Sequence, residues 1–104
     1  MNMIQKYEAR AQVAKAMGHP SRLYILDLLK EGELSAGALT SKVGADQSTV
    51  SKHLSILRQV GLVNHRKDGT TIYYSLCCTC IDGFFTCLES VVRSELCKRQ
   101  SASQ

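Results

Sequence analysis

The sequence predicts a mainly α-helical fold with one β-hairpin, in a single domain over residues 1–104. Apolar residues recur at helical spacing along most of the chain, while two strand-like runs flank Asp68-Gly69, a dipeptide typical of tight hairpin turns. At 104 residues, 44% of them hydrophobic, the chain has the usual length and apolar content of one folded domain. The predicted order is helix, helix, helix-turn-helix, hairpin, helix.

The first two helices are predicted over residues 4–17 and from Pro20 until Gly32. The first has a stripe of apolar and small side chains that recurs every three or four residues, and Gly18 ends it. Proline suits the first turn of the second helix, because the N–H that it lacks would be unpaired there anyway.

A helix-turn-helix follows. Ser35 is the predicted N-cap of a short third helix over residues 36–43, which Gly44 closes. Asp46 is the predicted N-cap of a fourth helix over residues 47–60. The apolar residues of this helix recur at three- and four-residue steps and are predicted to face the core. They are Val50, Leu54, Leu57 and Val60.

The hairpin and a last helix complete the chain. The predicted strands cover residues 62–67 and 70–76, and apolar residues return to helical spacing over residues 81–96. The Ser-rich stretch 98–104 is predicted to be a frayed, flexible tail.

Several function classes are excluded by composition. No segment has the roughly 20 apolar residues of a membrane helix or the pattern of a signal peptide, so we expect a cytoplasmic protein with no membrane partner. Five cysteines without a secretion signal favour reduced thiols over a disulfide framework. No catalytic triad, phosphate-binding Gly loop or paired catalytic carboxylates are apparent, so no enzyme activity is expected.

The fourth helix has an unusually polar outer face. The side chains opposite its core stripe are mostly short and hydrogen-bonding, and can approach base edges closely. Between Gln47 and Lys67 there are four Lys or Arg and no Asp or Glu, so the local potential is positive although the whole chain carries only +4. This pattern is typical of a helix that reads DNA.

The sequence resembles the ArsR/SmtB family of metal- and redox-responsive bacterial repressors over about residues 10–96. The resemblance implies a winged helix-turn-helix fold, an obligate homodimer joined through the first and last helices, a recognition helix in the major groove, and a wing touching the flanking DNA. Five segments carry it: residues 16–23, 48–54, 57–63, 66–70 and 73–76.

Roles in DNA binding can be assigned on this basis. The two recognition helices of a dimer are expected about 34 Å apart, reading an inverted repeat in double-stranded operator DNA. Near the helix start, short polar side chains are the candidates for base-edge contacts: Gln47, Ser48, Thr49 and Ser51. Basic side chains on the helix and wing are the candidates for phosphate contacts: Lys52, Arg58, Arg66 and Lys67. For His53, helix packing or a phosphate contact is favoured over a base contact or a pH-sensing role.

Three thiols lie within four residues after the second strand, at Cys77, Cys78 and Cys80. Thiolates are soft ligands, so this cluster predicts a site for a thiophilic ion. Arsenic sensors in the resembled family bind trivalent arsenic through three cysteines, which makes arsenite or antimonite the expected inducer. The family's better-known cysteine pair in the third helix is absent, because residues 33–38 contain no cysteine, and a last helix without His makes a family-type zinc site unexpected.

Alternatives remain open for these thiols. A persulfide or disulfide switch that senses oxidants is the first, although the second helix lacks the cysteine that redox-sensing members keep there. The second is that free cysteines are small buried hydrophobes, with Cys87 the best candidate among Phe84, Leu88 and Val91. For the whole protein, the competing interpretation is a winged-helix interaction module that does not bind DNA. A thiol oxidoreductase is discounted, because the Cys-x-x-Cys motif lacks a βαβ context.

Overall fold

A computed structural model describes residues 2–78 and 80–102. It contains five helices and a small antiparallel sheet, which confirms the predicted mainly helical fold with a hairpin wing. In chain order the elements are α1 (Met3–Met17), α2 (Pro20–Leu29), β1 (Leu34–Ser35), α3 (Ala36–Val43), α4 (Gln47–Gln59), β2 (Val63–Asp68), β3 (Thr71–Leu76) and α5 (Ile81–Ala102).

Local signals fix most helix boundaries. Asn2 and Gln5 form a reciprocal capping box at the start of α1, with hydrogen bonds of 2.9 and 3.0 Å. Ser35 caps α3 by accepting a hydrogen bond from the Ala38 backbone N–H at 3.1 Å. Gly44 then ends α3 in the left-handed conformation, at φ 76°, which a glycine adopts without strain.

The three strands form one antiparallel sheet in the order β1-β3-β2. The hairpin pairs Val63 with Leu76 at its base and Asp68 with Thr71 at its tip, where Gly69 has φ 63°. The short strand β1 was not predicted from the sequence. It pairs with the other edge of β3 and so fastens the wing to the start of α3.

The core lies between α2, the helix-turn-helix and the inner side of the wing. Its most buried side chains are 0 to 2% exposed, so the helix-turn-helix is fixed by close packing against α2 and β2. They are Ile25, Leu26, Leu39, Val50, Leu54, Leu57 and Val63. Met17, Tyr74 and Ile81 extend this cluster to α1, β3 and α5.

The last helix differs from its prediction in two respects. It continues to Ala102, so the predicted frayed tail is helical over residues 98–102, while 103–104 lie outside the described residues. Cys87 is exposed, so the alternative that it is a small buried hydrophobe was wrong; the residues of α5 that join the core, Ile81 and Phe85, lie in its first turns. Within residues 2–78 and 80–102, no helix combines the length and apolar character needed to cross a membrane.

Candidate DNA-binding face and cysteine junction

Asp46 fixes the start of α4. Its carboxylate accepts a hydrogen bond from the Thr49 backbone N–H at 3.0 Å, as the sequence predicted. Hydrogen bonds from the Thr49 hydroxyl and from its backbone N–H lower the pKa of Asp46, so the cap is charged at neutral pH. At the other end, α4 stops one residue earlier than predicted, and Gly61 follows at φ 86°.

The polar side of α4 is exposed to solvent. Its apolar side chains Val50, Leu54 and Leu57 are buried, so the remaining side chains of the first two turns point outward. We call five of them the reading face: Gln47, Ser48, Thr49, Ser51 and Lys52. The structure thus brings the predicted base-edge candidates and Lys52 together on one accessible surface.

The other predicted phosphate contacts lie along the C-terminal end of α4 and on β2. Arg58, Arg66 and Lys67 are all exposed. The guanidinium of Arg58 lies 2.8 Å from the Nδ1 atom of His65 on β2, so this contact joins α4 to the wing.

Arg66 is paired within the chain. Its Nε and Nη2 atoms donate to the two carboxylate oxygens of Glu33 at 2.9 and 2.6 Å, and its guanidinium lies 4.7 Å from the centre of the Tyr73 ring. This bidentate hydrogen bond lowers the pKa of Glu33 and raises the pKa of Arg66. Glu33 was not identified from the sequence, because it lies 33 residues before its partner.

His53 is a packing residue. Its side chain is only 8% exposed and lies behind the reading face, packed between helices. The Nδ1 atom accepts a hydrogen bond from Nε of Arg22 at 3.1 Å, and the ring lies 4.5 Å from that of His19. Burial, followed by the nearby His19 and Arg22, lowers the pKa of His53.

The thiols at residues 77–80 form what we call the cysteine junction, between the end of β3 and the start of α5. Cys78 and Cys80 are joined by a disulfide bond, while Cys77 is a free, exposed thiol. Over the described residues, no three His, Cys, Asp or Glu side chains lie close enough to hold a metal ion. The predicted three-thiol set is therefore not assembled, because two of its sulfurs are bonded to each other.

One ion-pair cluster connects the cysteine junction to α2. Nζ of Lys30 lies 2.9 Å from the Asp82 carboxylate, in the first turn of α5, and 3.1 Å from that of Asp27. It also lies 5.2 Å from the centre of the Phe85 ring. The hydrogen bond to Asp82, then that to Asp27, raises the pKa of Lys30, so this residue is a fixed positive charge at the base of α5.

The chain ends expose an unusual amount of apolar surface. Large hydrophobic side chains on α1 and α5 are 40 to 72% exposed: Met3, Ile4, Tyr7, Phe84, Val91, Val92 and Leu96. On α5, the exposed Val92 also lines a groove toward α2, together with Leu23 and Leu88. Large apolar side chains exposed to this degree are typical of interaction sites.

Known proteins resemble the chain over the parts just described. The arsR family of bacterial regulatory proteins matches residues 19–65, from the N-cap of α2 into β2. The nodulation protein NolR of Rhizobium meliloti is 52% identical over 68 residues, which cover 65% of this chain and 56% of NolR, so the match spans little more than half of that relative. The transcriptional activator HlyU of Vibrio cholerae is 46% identical over 77 residues, covering 73% of this chain and 71% of HlyU.

The fold is shared with a solved structure. The solution structure of a homodimeric winged helix-turn-helix DNA-binding domain from Mycobacterium bovis superposes with a TM-score of 0.77, at 32% identity, covering 89% of this chain and 86% of that one. The matching family consists of bacterial regulatory proteins, and HlyU is a transcriptional activator. The chain therefore belongs to the ArsR family of bacterial regulatory proteins.

Proposed function

We propose that the chain is a transcriptional repressor that binds double-stranded operator DNA as a homodimer. The observation that carries the proposal is the reading face, which combines four hydrogen-bonding side chains and one lysine with no acidic residue among them. In a winged helix-turn-helix this helix enters the major groove, where such side chains distinguish base pairs. Because bacterial DNA lies in the cytoplasm, the protein would act there.

The contacts divide by chemistry. Short polar side chains of the reading face would hydrogen-bond to base edges, while Lys52, Arg58 and Lys67 would contact phosphates. Arg66 could contact phosphate only by leaving Glu33 or by using the N–H groups that Glu33 does not occupy. His53 would contribute by supporting α4 from behind.

The exposed apolar side chains of α1 and α5 would form the dimer interface. The chain has an accessible surface of 7409 Å², whereas a compact monomer of this size exposes about 5,800 Å². The difference, roughly 1,600 Å², exceeds the roughly 800 Å² that each partner buries in a standard interface. The radius of gyration, 16.3 Å, is likewise larger than the about 13 Å of a compact domain of this length. A second copy would cover this surface, and the two-fold symmetry would require an inverted-repeat operator.

Salt-dependent binding tests the DNA proposal. Fluorescence anisotropy of the promoter duplex that precedes the protein's own gene should show binding that weakens steeply as salt increases, because phosphate contacts release counterions. Footprinting should protect an inverted repeat. A chain that binds no duplex at low salt would instead be an interaction module.

We propose arsenite or antimonite first as the inducer. Cys77, Cys78 and Cys80 are soft ligands close together in the chain, as trivalent arsenic and antimony require. The disulfide must first be reduced by a cellular thiol, which is itself oxidised to a disulfide. Three thiols then replace the three hydroxyls of arsenous acid, forming three As–S bonds and releasing three water molecules.

The Cys78–Cys80 bond supports a second candidate, a redox switch at the same junction. Two thiols form the disulfide by losing two electrons and two protons, which reduce one molecule of hydrogen peroxide to two of water. A small persulfide could act as oxidant instead, leaving as a thiol and hydrogen sulfide. In either case the bond would shorten and stiffen the link between the wing and α5.

The signal would pass to the DNA-binding half through the first turn of α5. Cys80 precedes Ile81, and Asp82 holds Lys30 of α2 at 2.9 Å. A chemical change at the junction would displace Asp82 and so disturb α2, which packs against α3 and α4. Couplings of this kind amount to about 1 to 3 kcal/mol, enough to release an operator held at moderate affinity.

One titration separates the two chemistries. Reduced protein on promoter DNA is treated with arsenite or with hydrogen peroxide, and anisotropy is read together with the intact mass. Release by arsenite with one arsenic bound per chain supports the ion sensor. Release by peroxide with the loss of two hydrogens per chain supports the redox switch. Unchanged DNA affinity in both treatments would eliminate the cysteine junction as the sensor.

A further inference from the structure

We propose that Arg22 and His53 act as positioning residues, which hold α4 at a fixed angle to α1 and thereby set the spacing of the two reading faces. The inference rests on the proposed function, in which the reading face contacts DNA and α1 lies in the dimer interface. It concerns residues that would not themselves touch DNA.

Arg22 joins three helices. It lies in the first turns of α2, and its Nη1 atom donates to the carbonyl oxygen of Ala16, near the end of α1, at 3.3 Å. Its Nε atom donates to Nδ1 of His53, in the middle of α4, at 3.1 Å. A single half-buried guanidinium therefore links a helix of the dimer interface directly to the helix that reads DNA.

His53 is held on two sides. Apart from the Arg22 hydrogen bond, its ring packs at 4.5 Å against His19, whose own Nδ1 accepts from the Ser21 backbone N–H at 3.1 Å and caps α2. Among the described residues, His53 is the one buried side chain that is polar or charged. An apolar side chain would fill the same space without the cost of desolvating an imidazole.

This choice of residue has a geometric consequence. Apolar contacts such as those of Leu54 fix where α4 packs but are non-directional, whereas a hydrogen bond also requires a particular angle between donor and acceptor. Ser51 and Lys52 directly precede His53, so a rotation of α4 about its axis would move both across the groove. In a dimer the same rotation would occur twice, and would change the separation that the operator must match.

The hydrogen bond also requires a neutral His53, because only an unprotonated Nδ1 can accept from Arg22. The titratable and charged groups that act on the ring are Arg22 on α2 and His19 at its cap, while α1 contributes a backbone carbonyl to the cluster. Protonation would remove the acceptor and place a second positive charge beside the guanidinium. Acid should therefore loosen the alignment of α4.

The test measures preference for operator spacing. Wild-type protein first selects duplexes from a random-sequence pool, and each is compared with versions that have one base pair added or removed between half-sites. Each such change shifts a half-site by about 3.4 Å and rotates it by about 35°. For Arg22→Gln and His53→Phe, we expect the preference for the selected spacing to fall about tenfold, the effect of losing one charge-assisted hydrogen bond. Binding to non-specific DNA should stay unchanged.

Two controls distinguish positioning from general damage. His53→Gln keeps an oxygen that can accept from Arg22 and should retain the preference, as should Arg99→Gln, which removes the same charge from an exposed site on α5. If Arg22→Gln or His53→Phe does not fold, the pH profile decides. Because the folded protein lowers the pKa of His53 below the ordinary 6.5, the spacing preference of the wild type should stay constant near pH 6.5 and weaken once the pH falls below the lowered pKa. The preference of His53→Gln should not weaken there.

Two results would overturn the inference: an unchanged spacing preference in folded Arg22→Gln and His53→Phe, or identical pH profiles for wild type and His53→Gln. Failure of the wild-type protein to select any duplex would overturn the proposed function itself, and the positioning role with it.

Discussion

The helix-turn-helix and the cysteine junction are stabilised in opposite ways. The helix-turn-helix rests on side chains such as Leu39, Leu54 and Leu57, which are at most 2% exposed. The junction consists of exposed cysteines, two of which are covalently joined. Close packing fixes the geometry of the helix-turn-helix but cannot respond to a chemical signal. Exposed thiols can react with oxidants or bind ions, but they contribute little to the hydrophobic core. Under the proposed function, DNA reading and its control would therefore lie in separate parts of the molecule.

Lys30 and Ile81 are among the described side chains that connect the two regions. Lys30 joins α2 to the first turn of α5 through Asp82, and Ile81 inserts the same turn into the core. Lys30 and Asp82 form an exposed ion pair, and such pairs contribute little to stability. The connection is therefore suited to transmitting a displacement and not to holding the fold together.

The largest effect is expected in the packed region. Leu54→Ala should lower the free energy of unfolding by about 2 to 5 kcal/mol, because it leaves a cavity in the core. The matched control is Ser51→Ala on the same helix, an exposed substitution that should change stability by no more than about 0.5 kcal/mol. Urea unfolding of both variants checks this, and similar losses in the two would contradict the packing account.

The second largest effect is expected for substitutions in the cysteine junction. They should change the response to the inducer and leave DNA binding itself intact. A double variant with Cys78→Ser and Cys80→Ser should bind promoter DNA like the wild type but lose a response expected to be about 5- to 150-fold in affinity. Cys97→Ser, at an exposed thiol on α5, should keep the response. Inducer titrations followed by anisotropy measure this, and full release of the double variant would show that sensing lies elsewhere.

Lys52→Ala tests the reading face. It should weaken binding to all DNA sequences and reduce the slope of log affinity against log salt by about 0.9, the contribution of one phosphate contact. Lys98→Ala removes the same charge from an exposed position on α5 and should leave the slope unaltered. An equal slope for Lys52→Ala and the wild type would rule out the phosphate contact.

A smaller effect should appear as a pH dependence of stability. Because the folded protein lowers the pKa of His53 below the ordinary 6.5, the unfolded chain binds its proton first. Stability should therefore decrease as the pH falls from 6.5 to the lowered pKa, by at most about 1.4 kcal/mol per pH unit. Thermal unfolding of wild type and His53→Gln at several pH values isolates this contribution. Superimposable curves would mean that His53 is not responsible.

The smallest expected effect concerns Glu33. Glu33→Gln removes the charge that pairs with Arg66, so the wing should attract phosphate more strongly and DNA affinity should rise slightly. The control is Glu31→Gln, which removes an equal charge two residues away from a side chain that does not bond to Arg66. It shows how much of the effect comes from the change in net charge alone. Anisotropy at low salt compares the two, and equal affinities would leave the Glu33–Arg66 pair without a role in DNA binding.

The sequence predicted the elements that depend on neighbouring residues. The caps at Ser35 and Asp46, the left-handed turn at Gly44 and the hairpin around Gly69 act within a few positions, so local chemistry suffices to identify them. Contacts between distant residues left no such signal. Strand β1, the Arg22–His53 bond over 31 residues and the Arg66–Glu33 bond over 33 residues arise only once the chain has folded.

In the candidate site, the reading face could be predicted from the sequence, whereas the environment of Cys87 and the disulfide could not. The reading face follows from the periodicity of α4, which one apolar stripe determines. The exposure of Cys87 could not be inferred from its own helix, because the apolar residues near it, such as Phe84 and Val91, are themselves exposed in one chain. The sulfur chemistry at residues 77–80 depends on oxidation state, which no residue pattern encodes.

The most direct test of the account is the affinity of the wild-type protein for promoter DNA in three states: reduced, reduced with equimolar arsenite, and oxidised at Cys78–Cys80. Fluorescence anisotropy at fixed salt gives all three values. We expect tight binding by the reduced protein and a loss of about 5- to 150-fold in at least one of the other states. Equal affinity in all three states would contradict the claim that the cysteine junction controls the reading face.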